Sequence, residues 1–235
     1  MAIIQPVIKG GGSEPVGVQY EIVNGAIQPS TTYNKIIDFT GCTTINMPYI
    51  FDSVYLNNTA ISGTVNMSDV ITIGSTRNCC SYMFKGCTGI TGVNLNSLTT
   101  ISSLNGCQYM FQYCTGIISV NMSALTTISG GSACSQMFYG CTGLTSADLP
   151  ALTTISGTSS CSQMFGGCTS LATVYIGNTT AIDFGTQTNQ FNNMFFDCTQ
   201  NIDVYAPAAS QSTIESFSGY PNFGGTGTVT WHWRS

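Results

Sequence analysis

CCSYMFKGCTGITGVNLNSLTTIS, residues 79–102, is written again as GCQYMFQYCTGIISVNMSALTTIS at 106–129, ACSQMFYGCTGLTSADLPALTTIS at 133–156 and SCSQMFGGCTSLATVYIGNTTAI at 160–182. Met83, Met110, Met137 and Met164 stand 27 residues apart, and so do Cys87, Cys114, Cys141 and Cys168. A looser copy carries Met194, Phe195 and Cys198, displaced by 30. Upstream, Val65-Asn66-Met67 with Val70 and Ile73 anticipates Val93-Asn94-Leu95 with Leu98 and Ile101, 28 residues on. Ile37-Asp38-Phe39 with Cys42-Thr43-Thr44-Ile45 matches the same unit 56 residues on, so about seven coils fit between residues 34 and 206. A fixed period of this size is the signature of stacked repeats, in which one unit cannot bury its apolar face alone.

Each unit has an internal logic. Cys80, Met83, Phe84 and Cys87 recur at i, i+3, i+4 and i+7, which predicts one face of a short helix. Val93 and Leu95 alternate with polar neighbours, which predicts a strand. Leu98 and Ile101 turn inward again around Thr99-Thr100. The expected fold is an α/β repeat solenoid, with a parallel sheet on one wall and short helices on the other. Strands about 4.8 Å apart would make a stack of roughly 30 Å. Residues 1–33 lack the repeat and hold the run Gly10-Gly11-Gly12-Ser13, which reads as an arm with a flexible linker. Residues 207–235 read as a distinct cap. ASQSTIESF forms a helix started by Pro207, a Gly/Pro/Asn-rich turn follows, and Val229, Trp231 and Trp233 share one face of the strand TVTWHW.

Composition narrows the function. Charged residues are 6% of the 235-residue chain, against roughly 25% in an average soluble protein. The five basic residues, Lys9, Lys35, Arg77, Lys85 and Arg234, are scattered and the net charge is -5, which argues against nucleic acid, a ligand that needs clustered cations. No run of 18 apolar residues exists, so no membrane insertion is expected. The opening MAIIQPVIKGGGSEP has no charged n-region, and Gln5 and Pro6 break its apolar run, so it does not read as a secretion signal.

Candidate chemistry is sparse. The eleven cysteines form columns without any CxxC pair. They read as buried thiols, with some disulfides as the alternative and no metal site or cofactor expected. His232 is the only histidine and lies between two tryptophans in the last strand, a solvent-facing position with no catalytic partner in view. The acids fall on different coils. Asp38 and Asp148 share a column four coils, hence about 19 Å, apart, too far for paired-carboxylate hydrolysis. The pairs Thr43-Thr44, Thr99-Thr100, Thr126-Thr127, Thr153-Thr154 and Thr179-Thr180 are a ladder that, if flat, would present an ice-binding array. Lying between two inward residues, they are expected in a turn instead. No enzymatic activity is expected.

The strand column is the candidate binding face. Its outward positions are Asp38, Asn66, Asn94, Asn121, Asp148, Tyr175 and Tyr205. Small polar residues flank them, and such a face accepts sugars or a polar protein surface. A solvated face with Asn chosen for ladder hydrogen bonds explains the same residues. A second candidate surface is the outer face of the expected helices, with Tyr82, Tyr109, Tyr113 and Tyr139.

The units MFYGCTGLTSADLPALTTIS and MFGGCTSLATVYIGN resemble the BspA-like branch of leucine-rich repeats, which carries Phe-x-x-Cys-x-x-Leu, a strand and a closing Ile in each unit. The Met-Phe pair also resembles a repeat of mycoplasma surface lipoproteins. The segment VYAPAASQSTIESFSGYPNF (204–223) is similar to the terminal cap of BspA-like proteins. The period exceeds the usual family unit by a Ser/Gly-rich insert such as Gly130-Gly131-Ser132. The opening MAIIQPVIKGGG is similar to the start of small structural proteins of phages and prophages of gut bacteria. These resemblances imply a leucine-rich-repeat-like stack and a partner that is a protein or glycan on a cell surface, with an assembly partner held through the N-terminal arm. They imply a place in a virion or at an extracellular surface, the alternative being a bacterial adhesin or glycan-binding module. Because the repeat starts near Ile37, deleting residues 1–30 should leave the solenoid folded, with a cooperative thermal melt. Loss of that melt would make the arm part of the folded core.

Overall fold

The structure is a computed structural model that describes residues 21–23, 26–28, 39, 42–46, 48–49, 51–74 and 76–235. The Gly-rich run, Asp38 and most of the N-terminal arm lie outside the described residues. Within the arm, β1 (Glu21–Val23) and β2 (Ala26–Gln28) pair antiparallel.

From there the chain winds as a β-solenoid of about seven coils, built on two parallel sheets. One consists of two-residue strands: β3 (Thr44–Ile45), β5 (Thr72–Ile73), β7 (Thr100–Ile101), β9 (Thr127–Ile128) and β11 (Thr154–Ile155), stacked in that order. The other has seven longer strands in chain order: β4 (Ser62–Asn66), β6 (Gly89–Asn94), β8 (Ser119–Asn121), β10 (Ser146–Leu149), β12 (Thr173–Ile176), β13 (Ile202–Pro207) and β14 (Val229–Arg234). The strand expectation holds residue by residue: Val93 pairs with Val120, Ala147 with Val174 and Val174 with Val204, all pointing inward and buried. Between β13 and β14 lie a 3-10 turn, Ala208–Ser210, and the short helix α1 (Gln211–Glu215). No helix among the described residues is long and apolar enough to cross a membrane.

The expected helix in each coil is absent. Residues 78–87 and their equivalents form a third wall made of successive turns. Every fourth residue there has a positive φ: Asn78 at 54°, Tyr82 at 55° and Gly86 at 75°, with Asn105, Tyr109 and Tyr113 repeating the pattern one coil later. An α-helix holds every φ negative. The reason lies in where the N–H groups go. Asn78, Cys80, Tyr82, Phe84 and Gly86 donate forward to the carbonyls of Leu104, Gly106, Gln108, Met110 and Gln112 in the next coil. The intervening Met83, Lys85 and Cys87 donate back three residues within their own coil. In a helix all of those donors would be consumed four residues back, and the coil would have nothing to offer its neighbours. The inward pattern i, i+3, i+4, i+7 is the same in both conformations, so spacing alone does not separate them.

This third wall carries the core. Tyr55, Phe84, Phe111, Phe138, Phe165 and Phe195 form a near-parallel ring ladder, with centroids 5.1, 5.4, 5.6, 6.0 and 6.4 Å apart. Each such pair adds about 0.5–1.5 kcal/mol beyond its burial. Beside it, the buried thiols of Cys87, Cys114, Cys141, Cys168 and Cys198 donate to the carbonyls of Tyr55, Phe84, Phe111, Phe138 and Phe165 at 3.0–3.1 Å. All eleven cysteines are free. Burial pushes the Cys87 and Cys198 thiols up to about 11 and Cys161 to about 12, so each stays a neutral donor and a weak nucleophile.

The threonine pairs also correct the expectation of a turn. Thr100, Thr127 and Thr154 stand in the two-residue strands. Their predecessors Thr99, Thr126 and Thr153 turn their hydroxyls onto the carbonyls of Ile71, Thr99 and Thr126 in the preceding coil. One hydroxyl of each pair is therefore committed to holding the corner.

A substitution pair separates the turn wall from a helix by sign. Gln163, at φ 51°, replaced by Gly should hold or gain up to about 1 kcal/mol, whereas in a helix it would lose about 1 kcal/mol. Gly140 has φ 71° and a Cβ there would meet the Tyr113 ring, so Gly140→Ala should cost more than about 1 kcal/mol. Urea denaturation of both variants measures the two signs.

Candidate functional site

The seven-stranded sheet turns alternate residues outward, and its register puts the expected site residues in one column. Asn66 pairs with Asn94, Asn94 with Asn121, Asn121 with Asp148, Asp148 with Tyr175, Tyr175 with Tyr205, and Tyr205 with His232. Six of the seven expected residues are thus brought together; the seventh, Asp38, is not described. The column divides into two halves that do different things.

In the first half the asparagines serve the fold. The Oδ1 atoms of Asn66, Asn94 and Asn121 accept the backbone N–H groups of Ser68, Asn96 and Ser123 at 3.2, 3.3 and 2.9 Å. Each closes a side-chain turn that carries the chain off the strand and around the corner. Asn94 also donates from Nδ2 to Asn66 Oδ1 at 3.1 Å. These side chains are occupied with their own backbone and with each other, which favours the ladder explanation for this half.

At Asp148 the pattern breaks. The residue two further on is Pro150, and proline has no N–H to give. The carboxylate is therefore released from the turn that its column-mates make. On the next rungs come rings. Tyr175 and Tyr205 stack at 4.8 Å, and Tyr205 and His232 at 4.6 Å, each pair 17° from parallel. On the side of the next coil, Tyr175 is covered by Tyr205. On the other side, its neighbouring rung carries only the short Asp148.

Two residues outside the expected column complete the patch. The guanidinium of Arg234 lies 5.5 Å from the centre of the Tyr175 ring and Nη2 donates to the Gly177 carbonyl. Asp203 Oδ1 meets His232 Nε2 at 2.8 Å, both side chains about half exposed (54% and 41%). His232 thus does face solvent in part, yet it is fixed from two directions, by Tyr205 and by Asp203. Both added residues were legible from alternation. Inward Trp231 and Trp233 force Arg234 outward, and Asp203 lies two before Tyr205 on the same strand.

On the turn wall, Tyr82 and Tyr109 stack at 4.5 Å and Tyr113 meets Tyr139 edge-on at 5.8 Å. The Lys85 ammonium lies 5.2, 5.6 and 5.9 Å from the rings of Tyr82, Tyr109 and Tyr113. These tyrosines cover neighbouring coils and shelter one cation, which is a structural use of them.

Comparison with known families, curated proteins and solved structures finds no match for this chain. The site must be read from its own geometry.

The two halves of the column should respond differently to truncation. Asn121→Ala removes an acceptor from the Ser123 N–H and should cost about 0.5–1.5 kcal/mol. Asp148→Ala should stay within about 0.5 kcal/mol of the parent. Chemical denaturation of the two variants side by side gives both values, and equal losses would contradict the division.

Proposed function

We propose that this protein is a non-enzymatic recognition protein, using the C-terminal end of its seven-stranded sheet as a binding face in a phage particle or at a bacterial surface. The observation that carries this reading is the change within one column, from asparagines bonded to their own backbone to an open carboxylate followed by an aromatic ladder. Stability alone requires no such change, because Asn at Asp148 with a donor at Pro150 would continue the turns of the preceding coils. Aromatic and Arg side chains are the groups that dominate recognition surfaces, and Tyr175, Tyr205, His232 and Arg234 bring four of them together. The single histidine is held by Tyr205 and Asp203, so its ring is committed to the patch.

The setting rests on the sequence. The opening resembles phage structural proteins, the repeat resembles BspA-like and mycoplasma surface repeats, and the charge-poor surface is built from Ser, Thr and Asn. The leucine-rich-repeat likeness and the capping role of residues 207–235 belong to the same reading. Phe184, Phe191, Phe217 and Phe223, which meet edge-on at 5.0–5.9 Å around the last coil, support such a cap.

The test is binding of the full chain to immobilised bacterial cells and their surface polysaccharides. Tyr175→Ala/Tyr205→Ala should lose at least tenfold in affinity, about 1.4 kcal/mol. A Tyr82→Ala/Tyr113→Ala control on the turn wall should bind as the parent does. Loss in the control with retention in the sheet variant, at matched melting temperatures, would move the binding face to the turn wall.

A further inference from the structure

The proposed face has one position where a ligand group of defined chemistry fits. Asp148 presents two carboxylate oxygens that accept and do not donate. Its three column-mates spend their oxygens on the i+2 backbone N–H, and Pro150 withholds that donor. One rung on, about 4.8 Å away, the Tyr175 ring rises on the side away from Tyr205 as a wall above this short side chain. The adjoining outward positions are Ser119, Ser146 and Thr173, which offer hydroxyls and no charge. The step is one rung deep, so it takes something flat with donors along one edge.

Two flat groups meet that description: a planar guanidinium and a pyranose ring. Arg234 separates them. Its guanidinium already lies 5.5 Å from the Tyr175 ring, so a second cation entering over the same carboxylate would meet a like charge at close range. A neutral sugar meets no such repulsion. Its C–H face packs on an aromatic ring, and two adjacent hydroxyls donate to the two carboxylate oxygens, bonds strengthened by the ionised acceptor.

Resting on the reading that this sheet face is the recognition surface, we propose that Asp148 and Tyr175 form a subsite for a neutral pyranose gripped through a vicinal pair of hydroxyls. Pro150 is the positioning residue that keeps the carboxylate available. The amide donor that Ser123 supplies in the preceding coil is missing here, and this leaves both oxygens to the sugar.

The experiment uses the full chain on an array of neutral oligosaccharides, with arginine-bearing peptides as a second arm. Four proteins are compared: the parent, Asp148→Ala, Pro150→Ser and Tyr175→Ala, all checked by thermal melting. Pro150→Ser restores the Ser found at this point in the repeat and should tie up one carboxylate oxygen. Expected are selective binding of neutral glycans by the parent, a loss of more than tenfold in Asp148→Ala and Tyr175→Ala, and a three- to tenfold loss in Pro150→Ser with melting unchanged or higher. Loss in Tyr175→Ala with parental binding in both Asp148→Ala and Pro150→Ser overturns the sugar subsite while leaving the face intact. Preference for the arginine peptides, or no neutral glycan bound at all, overturns the choice of a sugar. Parental binding by all three variants overturns the face as well.

Discussion

A coil of 27 residues without a helix has few partners for its own peptide groups, and almost all of them must bond to the coils before and after it. Unpaired backbone groups in the interior are costly, so each coil has to place its donors opposite its neighbour's acceptors over its whole circuit. The parallel sheets meet this requirement on two walls. On the third, alternate peptide units align with the stack, the N–H toward the following coil and the C=O toward the preceding one. The turns between them need left-handed residues at every fourth position, filled by Asn, Tyr, Ser, Gln and Gly. Some of these are poor left-handed residues by intrinsic preference. Their strain is offset by the bonds that the geometry makes possible.

Equal coil lengths follow from the same requirement. An extra residue in one coil would shift every later donor away from its acceptor. The regular period in turn aligns equivalent side chains in columns, so the interior is a set of ladders. Phenylalanine stacks on phenylalanine, and each cysteine thiol reaches back to the carbonyl beside the ring of the preceding coil. Cysteine fits that place because it is small, tolerates burial and brings one weak donor. With its pKa raised by burial it is not poised for redox or metal chemistry, and its recurrence reflects packing.

Function is sought where a column departs from its own rule. The asparagines of the outward column repeat one job, and repetition alone makes them uninformative about a ligand. Asp148, Pro150, Tyr175, Tyr205 and Arg234 depart from it together within the C-terminal coils. The departure exchanges self-satisfied amides for an open acceptor, ring faces and a cation, a combination with affinity for something outside the chain.

The sequence by itself determined the repeat, its period, the inward columns and the outward one, because periodicity is a property of residue order and a strand's alternation has only one translation into faces. Val93, Asn94 and Leu95 could be assigned from their neighbours alone. The sequence did not determine the conformation of residues 78–87. Cys80, Met83, Phe84 and Cys87 point inward equally well from a helix and from a chain of turns, and the choice depends on bonds to a coil 27 residues away. Nor did it reveal that Asn121 is spent on the Ser123 N–H while Asp148 is free, or that the Tyr175 ring is covered on one side by Tyr205. Those distinctions arise only when the coils stack, since the partner that occupies or releases each side chain is either its own turned backbone or the next rung of the ladder.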